Sequence, residues 1–155
     1  MGKVVKQDEI VNIVSSGQKA GKSFVLTNGC FDILHVGHVR YLQKSKEYAD
    51  FLIVLVNSDK SVKELKGDSR PINNQNDRAE ILASLNCVDY VVIFEEKSPA
   101  SLLDKIKPNV YTKGADYTLE TLPEKDIVLK NKIKVEFIEF VQGKSTTKLI
   151  EKINN

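Results

Sequence analysis

Two histidines, two cysteines, almost no net charge and no long apolar run are what this 155-residue chain offers, and each scarcity excludes something. Cys30 and Cys87 stand far apart in sequence, so they make neither a disulfide framework nor the close cysteine pairs of a zinc site. No apolar segment approaches the ~20 residues needed to cross a bilayer. Residues 7–19 are amphipathic and charged rather than signal-like, and Met1-Gly2 lacks the following Ser or Thr of a myristoylation signal. With 23 Lys and Arg against 21 Asp and Glu, the formal charge of +2 is too small to imply a nucleic acid or a membrane as partner. Repeats, low-complexity tracts and an interdomain linker are also missing. The expectation is one cytoplasmic domain of residues 1–155, long enough for a real core.

The two histidines, His35 and His38, fall together in Asp32-Ile-Leu-His-Val-Gly-His38. An apolar run at 24–27 and the turn-forming Asn28-Gly29 precede them, and a helical pattern follows. They therefore sit where a strand hands over to a helix, and helix N-termini collect anions. A spacing of three places both side chains on one face of a helical turn. Gly37 allows close approach because it has no Cβ. Two imidazoles in that position suit a polyphosphate whose charge must be stabilised during reaction. A purely structural histidine pair is the competing reading, and the strand–turn–helix context weighs against it.

Short apolar, β-branched runs at 24–27, 51–56, 90–94, 110–112 and 134–140 read as strands, the last as an edge strand. Helical patterns fall at 7–19, 38–48, 76–85, 100–106, 123–130 and 145–153. Such alternation predicts an α/β fold: a Rossmann-like, doubly wound, five-stranded parallel sheet in order 3-2-1-4-5. Residues 62–76 read as a long, polar, basic loop of the kind that carries function. In a doubly wound sheet, ligands bind beyond the carboxyl ends of the strands. The histidine turn, Asn57-Ser58-Asp59 and Lys113-Gly114 should therefore converge. Gly143-Lys-Ser-Thr-Thr147 precedes the last helix and suits either an anion or plain N-capping by Ser145 or Thr146. It is no Walker loop, because the first glycine of that motif is out of place.

The His-x-Gly-His turn resembles the nucleotidyltransferase superfamily of cytidylyltransferases and adenylyltransferases. Six segments occur in order: Asn28-Gly-Cys-Phe-Asp-Ile-Leu-His-Val-Gly-His38, Val56-Asn-Ser-Asp59, Leu65-Lys-Gly-Asp-Ser-Arg-Pro71, Phe94-Glu-Glu96, Thr112-Lys-Gly-Ala-Asp-Tyr117 and Gly143-Lys-Ser-Thr-Thr147. Together they resemble the adenylyltransferase domain of ADP-heptose synthases, above all in the third and fifth segments.

The resemblance implies transfer of AMP from ATP to D-glycero-β-D-manno-heptose 1-phosphate, releasing pyrophosphate. The acceptor phosphate is already anionic, so no general base is required. The protein must hold two repelling anions in line and stabilise the developing charge. His35 and His38 are expected at the phosphates, with Lys46 beside them. Asn28, Gly29, Cys30, Phe31, Gly37, Arg78, Gly114, Asp116, Gly143, Ser145, Thr146 and Thr147 are expected around the nucleotide. Asp32, Lys66, Arg70 and Lys113 are expected around the acceptor. Mg²⁺ should be held mainly by the triphosphate, since no carboxylate cage is visible.

A homodimer is implied mainly by the resemblance, with thin support from Tyr90, Phe94 and the apolar side of 79–85. The family often fuses this domain to a sugar kinase; at this length the kinase is expected to be a separate protein. Phe140-Val141-Gln142 stands where glycerol-phosphate cytidylyltransferases carry an Arg, which disfavours the cytidylyl alternative. A nucleotide sensor without turnover is the non-enzyme alternative, and both intact histidines argue against it.

Overall fold

The computed structural model describes residues 1–139 and 145–155. Its elements in chain order are β1 (Lys3–Val4), α1 (Gln7–Lys19), β2 (Phe24–Gly29), α2 (Val36–Lys46), β3 (Phe51–Asn57), α3 (Asp59–Lys66), α4 (Gln75–Ala83), β4 (Tyr90–Phe94), α5 (Ala100–Ile106), β5 (Val110–Gly114), α6 (Lys125–Lys130), β6 (Lys134–Ile138) and α7 (Thr146–Asn154). The sheet runs β1-β4-β3-β2-β5-β6, with every pairing parallel. The five expected strands thus occupy the expected order, and a sixth, β1, adds itself to one edge through Lys3 and Val4. Two residues carry no periodicity, so this strand had no sequence signal.

Strands buried on both faces explain the near-continuous apolar runs. Phe24, Leu26, Ile53, Leu55, Val92, Phe94 and Tyr111 pack with α1, α5 and α6 side chains on one face. Val25, Leu52, Val54, Val56 and Val91 pack with Tyr41, Leu42, Ala79 and Leu82 on the other. Alternation along each strand therefore assigns even and odd positions to different sides. Phe94, Ala79, Leu82 and Ala83 are buried here, while Ile81 is exposed and Leu85 and Tyr90 are half-buried, so part of the apolar surface expected to support a dimer belongs to the core.

The long-loop expectation for 62–76 needs correction. Its first part is α3, started by Ser58, whose hydroxyl accepts from the Ser61 N–H at 3.2 Å. Asp59 lies in the first turn and Lys63 and Lys66 in the last, which suits the helix dipole. Val62 is buried beneath it, but Leu65 is half exposed, so the apolar stripe is too thin to stand out in sequence. Gly67 closes the helix at φ 100°, a conformation that favours glycine.

Candidate active site

β2 ends in a turn whose geometry depends on a missing side chain. Phe31 takes a left-handed backbone at φ 48° and lays its ring over Gly29. A Cβ on Gly29 would meet that ring at 2.9 Å. The Phe31 ring then meets His38 edge-on, with centroids 5.2 Å apart. Downstream, His35 caps α2 in extended conformation, and its Nδ1 accepts the Gly37 N–H at 3.1 Å. His38 Nδ1 accepts the His35 N–H at 3.4 Å. The two rings stack with centroids 3.9 Å apart.

These bonds assign the tautomer. An Nδ1 that accepts carries no proton, so a neutral imidazole keeps its proton on Nε2. Each ring is thereby fixed as an Nε2–H donor beside the first turn of a helix. Burial, and secondarily the charge of His35, lowers the His38 pKa from 6.5 to about 4, which keeps it neutral near pH 7.

Helix α2 is held against the sheet by buried hydroxyls. Tyr41 Oη lies 2.9 Å from Thr27 Oγ1, and Ser45 Oγ lies 2.9 Å from Thr112 Oγ1. Ser45 also donates to the Tyr41 carbonyl. Burial raises the Tyr41 pKa despite its hydroxyl partners, so it remains a phenol. The sequence reading missed these four residues. Their signal was a hydroxyl residue at the end of each of two apolar runs, Thr27 and Thr112.

A second network surrounds Asp32, which is 2 % exposed. Its carboxylate accepts from Arg70 Nε at 2.7 Å and from the Ile72 and Asn73 N–H groups at 2.9 Å. Asn73 Nδ2 donates to the Asp32 carbonyl at 2.7 Å. Desolvation pushes the Asp32 pKa up, but the donated bonds from Asn73, Ile72 and Arg70 outweigh it and the net shift is downward. Arg78, 1 % exposed, spans four partners: Asn73 O, Cys30 O, Asn57 O and Asp59 Oδ1, all within 2.9 Å. It is the tie between the turns after β2 and β3 and the start of α4. The sequence placed Arg78 among nucleotide ligands; these bonds occupy its guanidinium with the chain itself. Cys30 is raised by burial, opposed by Lys66, Arg78 and Arg70, so these cations gather around it.

The other expected residues divide. Thr146 Oγ1 donates to the Ile33 carbonyl at 2.9 Å, which brings the start of α7 to the histidine turn from 113 positions away. Ser145 caps α7 by accepting the Lys148 N–H; Thr147 is exposed on its first turn. Gly143, Lys144 and the missing-Arg segment 140–142 lie outside the described residues. At the end of β5, Gly114 is buried, and Lys113 stands over the Tyr117 ring at 4.8 Å. Asp116 is exposed, and its charge is felt by Tyr41. Lys66 ends α3 in solvent.

Lys46 is not part of this assembly. It sits at the far end of α2, bonded to the Asp50 carbonyl and the Asp89 carboxylate. Asp89 Oδ2 also accepts the Leu52 N–H, so Lys46 belongs to the amino ends of β3 and β4. Eleven residues of helix α2, at about 1.5 Å each, separate the two ends.

The cytidylyltransferase-like family model matches residues 26–152. The chain is 50% identical over 151 residues to the bifunctional protein HldE of Geobacter metallireducens, covering 97% of this chain and 31% of that protein. It is 53% identical over 152 residues to HldE of a Nitratiruptor species, covering 97% and 32%. The chain thus spans about a third of the curated relatives it matches. A lipopolysaccharide core biosynthesis protein of Thermoplasma volcanium superposes with a TM-score of 0.63 at 30% identity, over 80% of this chain and 100% of that one. Pantoate-β-alanine ligase from Francisella tularensis, at 19% identity and a TM-score of 0.62, shares the fold. With its His-x-Gly-His turn capping α2 beyond the central strand, the chain belongs to the cytidylyltransferase-like family of nucleotidyltransferases.

Proposed function

We propose that this domain transfers AMP from ATP to a heptose 1-phosphate, D-glycero-β-D-manno-heptose 1-phosphate being the preferred acceptor. The carrying observation is the stacked histidine pair, each Nδ1 held by a backbone N–H. Fixed Nε2–H donors at a helix N-terminus are preorganised for an α-phosphoryl group that gains charge in the transition state. An acceptor phosphate oxygen forms the new bond to the α-phosphorus while the bond to the β-phosphate oxygen breaks. Pyrophosphate leaves with that electron pair, and no proton need be removed from the nucleophile.

Asn28, Gly29, Cys30, Phe31 and Gly37 form the wall against which the nucleotide would lie, with Ser145, Thr146 and Thr147 facing them from α7. Gly114 at the end of β5 and Asp116 just beyond it would flank the nucleotide. Lys66, exposed, and Lys113, half-exposed, are the cations that would meet the acceptor phosphate. Asp32, Arg70 and Arg78 act by holding those turns in place. Among the described residues no group of three His, Cys, Asp or Glu side chains could hold a metal. Mg²⁺ would therefore arrive with the triphosphate, supplying charge neutralisation.

The heptose assignment draws on the ordered segments that resemble ADP-heptose synthase and on the identity to HldE. Because those relatives are bifunctional, a kinase on a separate protein is not carried over. Pyrophosphate release, measured with each NTP, Mg²⁺ and a panel of sugar phosphates, tests the proposal. ATP with the heptose phosphate should react and CTP should be a poor replacement. Robust turnover with CTP and glycerol 3-phosphate instead would establish the cytidylyl alternative.

A further inference from the structure

Among the described residues, two buried side-chain atoms lack any hydrogen-bond partner: Asn57 Nδ2 and Glu124 Oε2. Both residues are 3 % exposed. An unpaired buried polar atom is costly and calls for an explanation. One of these atoms is a donor and the other an acceptor.

Their placement suggests what completes them. Asn57 ends β3 in the same alternation as Ile53 and Leu55, so its side chain lies on the α1/α5/α6 face of the sheet. Asn28 ends β2 in the alternation of Phe24 and Leu26, on the same face. Tyr111 of β5 shares that face, and its hydroxyl donates to Asn28 Oδ1 at 2.5 Å. This commits Oδ1 and leaves Nδ2 as the group Asn28 can present. Glu124 lies in the connection from β5 to α6, close enough that its charge raises the Tyr111 pKa, after burial. A polar lip thus caps one core face at the carboxyl ends of β3, β2 and β5. Two strand spacings, about 10 Å, separate β3 from β5. That span fits one sugar ring with its side chain.

The histidines lie on the other side of the same crest. Helix α2 packs on the opposite sheet face, through Tyr41 and Leu42. The start of α7 meets the histidine turn at Ile33. Phosphate-directed groups and hydroxyl-directed groups therefore flank the end of β2 from opposite faces.

We infer that Asn57 and Glu124 form the acceptor's polyol subsite: Asn57 Nδ2 donates to one sugar hydroxyl and Glu124 Oε2 accepts from another. A hydroxyl both donates and accepts, so a polyol satisfies both orphans at once. Sites built to bond a hydroxyl reject analogues that lack it, because their buried groups are then left unpaired. Asn57 and Glu124 are thus specificity determinants of the reaction proposed above, and the inference rests on that reading.

The experiment measures initial rates of pyrophosphate release while ATP and heptose 1-phosphate are varied separately, for wild type, Glu124→Gln, Glu124→Leu and Asn57→Leu. Melting temperatures of all four proteins are recorded. Each substitution should raise KM for the sugar phosphate by ~10–100-fold, as for a lost bond to a charged or buried group, and leave KM for ATP within about twofold. The leucine variants should melt no lower than wild type, since they remove an unpaired buried atom. Unchanged sugar-phosphate KM values in variants of an active wild type would overturn the subsite alone. So would parallel rises in both KM values, or a fall in melting temperature that accounts for the loss. A wild type inactive with ATP and every phosphorylated polyol would overturn the proposed function, and the subsite with it.

Discussion

The histidine turn and the Asp32–Arg78 knot lie side by side beyond β2, and they use their polar atoms in opposite ways. Each histidine accepts a backbone N–H at Nδ1, which puts the proton of the neutral ring on Nε2. In the knot, Asp32 takes three donor groups and Arg78 gives to four acceptors within the chain. Charge near a phosphate site is therefore not by itself evidence of phosphate contact. What matters is the direction in which the fold aims each polar atom.

The sharpest break in this comparison is Arg78→Met. Removing a buried guanidinium leaves Cys30 O, Asn57 O and Asn73 O without their donor. A loss of ~3–5 kcal/mol in unfolding free energy is expected, the scale for breaking a buried charged pair. Urea denaturation measures it. Arg78→Lys should recover little, since one ammonium cannot reproduce a fork that reaches four acceptors. If Arg78→Met were as stable as wild type and only KM for ATP rose, Arg78 would be a ligand instead of a tie.

The histidines should show the reverse pattern. His35→Ala and His38→Ala are each expected to lower kcat by ~10²–10³, the cost of removing one preorganised donor. Stability should fall much less than for Arg78→Met. Each Nδ1 bond is one part-buried contact at a helix start. Near-wild-type rates in both variants would end the catalytic assignment.

A pH series separates the two regions without mutation. His38 has a folded pKa of about 4 against 6.5, so the unfolded chain binds its proton first. Its contribution to stability is complete above pH ~6.5 and declines as pH falls toward 4. Asp32 is also depressed; its contribution is lost at still lower pH, as the carboxylate protonates. Two successive losses on acidification should appear in denaturation midpoints, and His38→Gln should abolish the first. A midpoint that stays flat between pH 6.5 and 4 would contradict the neutral assignment of His38.

How much of this could be read from sequence follows from where each signal lives. Buried parallel strands must be apolar throughout, so five runs and their order were legible, as was the strand-to-helix position of His35 and His38. Strand β1 was too short to have a period, and α3 buries too little apolar surface. The site residues that sequence misjudged are those whose role depends on direction. Arg78 as a basic residue reads alike whether it points at a ligand or at three carbonyls. Glu124 carried no motif, and Asn57 lay inside the Val56–Asp59 segment with no role of its own assigned; one unpaired buried atom on each sets them apart.

The smallest expected effect concerns Lys46, which sequence position alone placed beside the histidines. Helical spacing made that plausible, but α2 runs from the carboxyl ends of the strands to the amino ends, and Lys46 is on its last turn. There it pairs with Asp89, both side chains about a third exposed. Partly exposed pairs contribute ~0.2–1 kcal/mol, and Asp89 would keep the Leu52 N–H as partner after the lysine is lost. Lys46→Ala should therefore shift the urea midpoint slightly and leave kcat and both KM values within about twofold of wild type. The contrast with His38 is then internal to one helix: the same element holds the proposed phosphate-facing imidazole at its positive end and a packing charge at the other. A tenfold or larger fall in kcat for Lys46→Ala, with stability intact, would mean that the two ends of α2 are coupled in turnover and that the separation drawn here is wrong.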